Sequence, residues 1–118
     1  MANLIWHKGG LFGEHWISLE NAVLETIHEH GVYVIWHGGQ TPHVVRVGQG
    51  DVRRRIAEHR KNPDILRWKQ RGPLFVTWAE VASQYRDGVE RHLFDRYSPH
   101  EGERHPLALP IAVNDPWG

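Results

Sequence analysis

The chain has 118 residues, with 14 Lys and Arg, 14 Asp and Glu, 10 His, no Cys and a net charge of zero. That length supports one ordinary core, and six Trp, three Tyr and three Phe mark a folded chain. The lack of Cys excludes a disulfide framework, thiolate zinc ligands and a cysteine nucleophile. No apolar run approaches the ~20 residues that span a bilayer. The first eight residues show no basic stretch leading into an apolar core, so a cytoplasmic location is expected.

Residues 1–18 mix Gly, Trp and His with no period. The spacing of Leu19, Ala22, Val23 and Ile27 predicts a helix over 19–30, with Ser18 as cap and Gly31 as stop. Residues 1–30 thus read as an extension whose helix packs on the core, and 31–118 as the main domain. Residues 32–36 and 43–47 are β-branched and aromatic, broken by Gly38-Gly39-Gln40-Thr41-Pro42, and predict an antiparallel hairpin. Asp51 is placed to cap a helix running to about Lys61. Asn62-Pro63 starts a second helix carrying Ile65, Leu66 and Trp68, which Gly72-Pro73 ends.

Residues 74–78 predict a third strand. Ser83 opens a helix to about Tyr97, with Tyr85, Val89, Leu93, Phe94 and Tyr97 on its apolar stripe. Gly88 inside it costs about 1 kcal/mol against Ala. After Ser98-Pro99 a tail containing Pro106, Pro110 and Pro116 is expected to lie extended across the domain. The predicted fold is α+β: a small three-stranded antiparallel sheet flanked by helices, with an extra N-terminal helix.

Zero net charge hides a segregation. Between Arg53 and Arg71 stand eight cations and two carboxylates, a net of +6, leaving −6 for the remainder. Such a stretch either forms a solvated face or makes a local field for phosphates.

In their order, these pieces resemble the GIY-YIG nuclease superfamily. Gly31-Val32-Tyr33 matches the first signature at the start of the first predicted strand. Arg46-Val47-Gly48 matches the second signature except at its first residue, where the family usually has Tyr. Gln49-Gly50 and an Arg-rich helix follow, with Arg55 and His59 at the positions of the family's Arg and of the His that several members carry. Glu90 matches the family's helical metal-binding Glu. The resemblance covers roughly residues 31–116. It implies a DNA endonuclease using Mg²⁺ or Mn²⁺ held by Glu90, with Tyr33 as base or water-positioner. Asn114 stands as the best match for a late Asn of the family. RNA as substrate stays open.

The residue chemistry fits phosphodiester hydrolysis, which needs water deprotonated, phosphate charge stabilised and a leaving oxygen neutralised. Arg55 and His59, four apart, share a helix face. Arg46 is either a second phosphate-binding group or a sign of an impaired site. Arg53, Arg54, Arg60, Lys61, Arg67 and Lys69 are expected to grip flanking phosphates without reading sequence. Each of these residues alone also has an ordinary reading: Tyr33 as core, the arginines as surface charge, Glu90 as an ion-pair partner, Asn114 as part of a turn.

Two other functions fit the sequence. Arg46 is compatible with a nucleic-acid-binding module that does not cut. Net neutrality and the segment holding Trp6, His7, His15 and Trp16 are compatible with a protein-interaction domain. A zinc site finds little support: His28 and His30 diverge on a helix, no HExxH occurs, and only His37 and His43 are placed to meet across the hairpin turn.

Overall fold

The central strand is apolar on alternate and intervening positions alike, and both of its faces are covered. The computed structural model describes residues 2–105 and 107–118; Met1 and Pro106, the latter in the predicted tail, lie outside the described residues. The fold is α+β, with an antiparallel sheet of four strands: β1 (Ile17–Ser18), β2 (His30–His37), β3 (His43–Asp51) and β4 (Leu74–Glu80), in spatial order β1-β4-β2-β3. Three α-helices accompany it: α1 (Val52–His59), α2 (Pro63–Leu66) and α3 (Arg86–Tyr97).

β2 pairs Tyr33 with Gly48 and Trp78, and Ile35 with Arg46 and Val76. One face of the sheet buries Tyr33, Ile35, Val76 and Trp78 against Val52 and Ile56 of α1 and Ile65 of α2. The other buries Val32, Val34, Trp36 and Val47 against Val89 and Leu93 of α3 and Val113 of the tail. A β-bulge falls between Ile35 and Trp36, immediately beside Arg46. Bulges of this kind re-aim neighbouring side chains.

Two of the expected caps form, but Ser83 does not cap α3: it lies in a 3₁₀ turn, Ser83–Tyr85, and the helix begins at Arg86 without a side-chain cap. Asp51 accepts a hydrogen bond from the Arg54 amide, and Asn62 accepts one from Asp64 with Pro63 in the first helical position. Trp68 lies in a 3₁₀ turn, Arg67–Gln70, rather than in a continued helix. Gly88 is explained by packing: a Cβ there would lie 2.6 Å from Ile111, so the absent side chain admits the tail. The tail indeed runs across α3, with the Ile111 amide bonded to the Gly88 carbonyl.

The predicted helix over 19–30 does not form. Only a 3₁₀ turn, Leu24–Thr26, stands there. Leu19, Ala22 and Ile27 are buried as expected, but irregular backbone carries them inward. The carbonyls that a helix would pair internally are taken from outside. Arg60 donates to Leu19 at 2.8 Å and to Ala22, and Arg53 donates to Leu24 at 2.6 Å. Ser18 and Thr26 add local side-chain bonds that compete with helix. The sheet is also one strand larger than expected, because Ile17–Ser18 pairs with Val76 and Phe75.

Candidate functional site

The outer edge of β3 separates two groups of polar side chains. On the α1 face, Tyr33 Oη and His59 Nε2 share a hydrogen bond of 2.6 Å. Tyr33 is delivered by the buried centre of β2 and His59 by the last turn of α1. Space for the Tyr33 ring exists only because residue 48 is glycine: a Cβ there would lie 2.2 Å from Tyr33 Oη. Gly31 meets a like limit, where a Cβ would lie 2.0 Å from the Ala79 carbonyl oxygen of the neighbouring strand. Both glycines of the paired signatures are therefore required by close approach.

Burial sets the protonation of this pair. It pushes the Tyr33 hydroxyl above its ordinary range, although the Arg46 and Arg55 charges oppose the rise. It pulls the His59 imidazole down to about 4, and the Arg46 guanidinium adds to the fall. At neutral pH both rings are uncharged. His59 Nδ1 is buried with no hydrogen-bond partner among the described residues, and so is Arg46 Nε. No carboxylate lies within ion-pair distance of Arg46 among the described residues. A cation so placed calls for an anion. Arg55 stands at the other end of the group, its Nε donating to the Gln49 carbonyl at 3.2 Å and its Nη1 to Glu58 at 3.5 Å.

On the α3 face, Gln49 Nε2 donates to Glu90 and to Asp87, at 2.6 Å each. Asp87 and Glu90 are three apart on α3, so one amide bridges both carboxylates. Burial raises the Glu90 carboxyl above its ordinary value, while the Gln49 bond opposes the rise. The Arg46 charge also acts on Glu90, and the Glu90 charge acts on Tyr33, so the two groups see each other around the strand edge.

Glu90 fits a hard divalent cation. Gln49 occupies Oε2 and leaves Oε1 without a partner among the described residues, with Asp87 beside it. No cluster of three His, Asp or Glu suited to a metal occurs among the described residues. Mg²⁺ keeps most of its waters and needs only one or two carboxylates, so this donor set suits Mg²⁺ and not zinc.

Tyr33, Arg46, Arg55, His59 and Glu90 thus come together. Asn114 does not join them. Its side chain accepts from the Leu4 amide at 2.5 Å and donates to the Leu4 carbonyl at 3.1 Å, clamping the N-terminal segment against the tail. Gln49 and Asp87, which sequence reasoning left without a role, take part instead. Gln49 directly follows the second signature, and Asp87 stands one helical turn before Glu90; those positions were the available signals.

The basic segment is less uniform than its sequence. Arg53 and Arg60 hold the carbonyls of residues 19–24, Arg54 pairs with Glu58 at 3.2 Å, Arg67 with Glu101 at 2.6 Å and Lys69 with Glu20 at 3.5 Å. Lys61 is exposed and has no carboxylate partner among the described residues. The aromatic N-terminal segment is folded onto the core: Trp6 Nε1 donates to the Asn114 carbonyl, His7 stacks on Trp78, and Trp16 meets Trp36 edge-on. No described helix is long and apolar enough to cross a membrane. No protein-family model matches the chain, and neither a curated protein nor a solved structure matches it.

Proposed function

We propose that the chain is a GIY-YIG-type endonuclease that hydrolyses DNA phosphodiester bonds. The observation that carries this reading is the buried Tyr33–His59 hydrogen bond of 2.6 Å with the unpaired Arg46 charge acting on both rings. His59 is uncharged at neutral pH, and an anionic phosphate beside Arg46 would offset part of the depression and strengthen it as a base. Tyr33 orients the attacking water and passes its proton toward His59 as the new P–O bond forms. Arg46 and Arg55 hold the phosphate oxygens while charge builds on them, and the leaving oxygen takes its proton from solvent. Glu90 would hold a divalent cation of the Mg²⁺ or Mn²⁺ class, which when bound would supply Lewis-acid stabilisation of phosphate charge. Asn114 has no part in this scheme, because its amide is engaged with Leu4.

Wild type and Glu90→Ala, incubated with supercoiled, linear and branched DNA in Mg²⁺, Mn²⁺ or EDTA, test it. Wild type is expected to cut, EDTA to abolish cutting, and the variant to lose about 100-fold or more. A Glu90→Ala protein that cuts like wild type overturns the assignment. Arg46 at the usual tyrosine position favours one second reading, a module on the same fold that binds DNA without cutting. Salt-dependent DNA retention with no metal-dependent product identifies it.

A further inference from the structure

Four residues along β2 from Tyr33, on the same face of the sheet, stands His37, opposite His43. At strand rise this is a step of about 13 Å from the Tyr33–His59 pair. Around His37 several flat side chains collect. His100 stacks on Trp68 with ring centres 3.9 Å apart and planes within 7°. His37 lies parallel to both, 5.6 Å from His100 and 6.2 Å from Trp68. His43 closes on His100 at 4.3 Å.

The platform is fixed in place. Glu101 accepts from Trp68 Nε1 at 2.9 Å and from Arg67 at 2.6 Å, and the Glu101 amide is bonded to the Val45 carbonyl of β3. The same segment brings Gly102 against the Arg46 guanidinium, about 3.5 Å from where its Cβ would be. One short stretch, 100–102, therefore links the aromatic platform to the candidate phosphate site.

The platform is also charged. The guanidinium carbons of Arg67 and Arg71 stand 5.5 and 5.6 Å from the Trp68 ring centre. Glu101 pairs with Arg67, but no carboxylate pairs with Arg71 among the described residues. Arg67, Trp68, Gln70 and Arg71 line a surface pocket of about 380 Å³. A flat π-system, a cation that no carboxylate neutralises and an amide able to meet a base edge are the features that hold an unpaired nucleotide. A purely aromatic ligand would not use Arg71, and a simple anion would not use the indole.

We infer that Trp68, with Arg71 and Gln70, forms a subsite that stacks an unpaired nucleobase of a DNA strand whose phosphodiester lies at Arg46. This assignment rests on the nucleic-acid reading of the neighbouring cluster. Arg46 stands opposite Ile35, two residues along β2 from His37, so the phosphate and base positions fall within a few nucleotides of each other on one strand. The subsite selects DNA with a single-stranded flank, such as a fork or a flap, because a paired base cannot present its face.

The test uses the full chain in EDTA, with a fluorescent single-stranded oligodeoxynucleotide and the blunt duplex of the same sequence. Trp68→Ala is expected to weaken single-strand binding about tenfold or more and to leave duplex binding within about twofold. Trp68→Phe, which keeps a ring, is expected to retain most of it. A second arm leaves the protein untouched. Single abasic sites walked along the oligonucleotide are expected to show one position, a few nucleotides from the cleaved bond, where affinity drops comparably. Equal losses on single strand and duplex, or no sensitive abasic position, overturn the subsite. Cleavage in Mg²⁺ is scored on the same oligonucleotides. Cutting without base dependence rejects the subsite and leaves the nuclease reading standing. Base-dependent binding without cutting supports the subsite and rejects the nuclease reading.

Discussion

The Tyr33 hydroxyl and the His59 imidazole meet at 2.6 Å inside the fold, and His59 is held down to about 4 by burial and by Arg46. That depression has a definite sign in stability. Unfolded, the imidazole takes its proton near 6.5; folded, only near about 4. Between those values the unfolded chain binds the extra proton. The contribution is fully present above pH 6.5 and is lost as pH falls to about 4, a change of roughly 3 kcal/mol. Urea unfolding of wild type and His59→Gln at pH 7 and pH 4 reads it. The variant is expected to lose less stability over that interval by about this amount, and parallel losses contradict the account.

Gly48 is predicted to be intolerant of even one methyl group. The nearest atoms to a Cβ there are Tyr33 Oη and Cζ, at 2.2 and 2.3 Å, and the Tyr33 ring is fully enclosed. Gly48→Ala is therefore expected to lose about 1–3 kcal/mol or more in urea unfolding. In a Tyr33→Ala background the same change is expected to be nearly neutral, since the clashing ring is gone. A double-mutant cycle with no coupling between the two positions refutes the steric explanation.

Glu90 should show opposed effects on stability and activity. Its folded carboxyl titrates above its ordinary value, mainly through burial, so ionisation in the fold is unfavourable. The stabilising contribution of the protonated form is present below the unfolded value and is lost as pH rises through the folded one. Glu90→Gln removes the ionisation and still offers an amide oxygen to Gln49. It is expected to raise Tm by a few degrees at pH 7 while cleavage falls about 100-fold. A variant no more stable than wild type at pH 7 goes against this account.

Arg60 and Lys61 are neighbours in sequence but predicted opposites in effect. Arg60 satisfies the carbonyls of Leu19 and Ala22, whereas Lys61 is exposed. Arg60→Ala is expected to lower stability by about 2–3 kcal/mol by orphaning partly buried acceptors. Lys61→Ala is expected to change stability by less than about 0.5 kcal/mol and to reduce the salt dependence of DNA binding by about one counterion. Equal stability for the two variants reverses the assignment.

The parts of the fold written in local chemistry were legible. Asp51, Asn62 and Pro63 announce their helices, and the hairpin strands carry β-branched and aromatic runs bounded by glycine. The helix expected over 19–30 fails for a non-local reason: Arg53 and Arg60, 29 to 41 positions away, supply donors to its carbonyls. Periodicity cannot register a partner so distant. The Ile17–Ser18 edge strand is too short to show alternation. For the candidate site, motif order singled out Tyr33, Arg46, Arg55, His59 and Glu90, which the fold brings near one another. The Asn114 side chain is engaged with Leu4, a contact that an Asn-Asp-Pro sequence gives no mark of. Gln49 was passed over because a lone amide gains meaning only from the two carboxylates it bridges.

Arg46 provides the sharpest test of how the cluster works. Its Nε is buried without a partner, and its charge acts on Tyr33, His59 and Glu90 together. If it holds the phosphate, Arg46→Tyr, which introduces the residue usual in the nucleases the chain resembles, should reduce cleavage about tenfold or more rather than increase it. Its second effect is independent of turnover. Arg46 contributes to the depression of His59, so Arg46→Met should move the His59 titration upward from about 4 toward the ordinary imidazole range, as followed by imidazole NMR. Burial alone would keep His59 below 6.5, so a partial rise is expected. An unmoved titration would show that the Arg46 guanidinium does not stand over the Tyr33–His59 pair, and faster cutting by Arg46→Tyr would mark the arginine as an impairment.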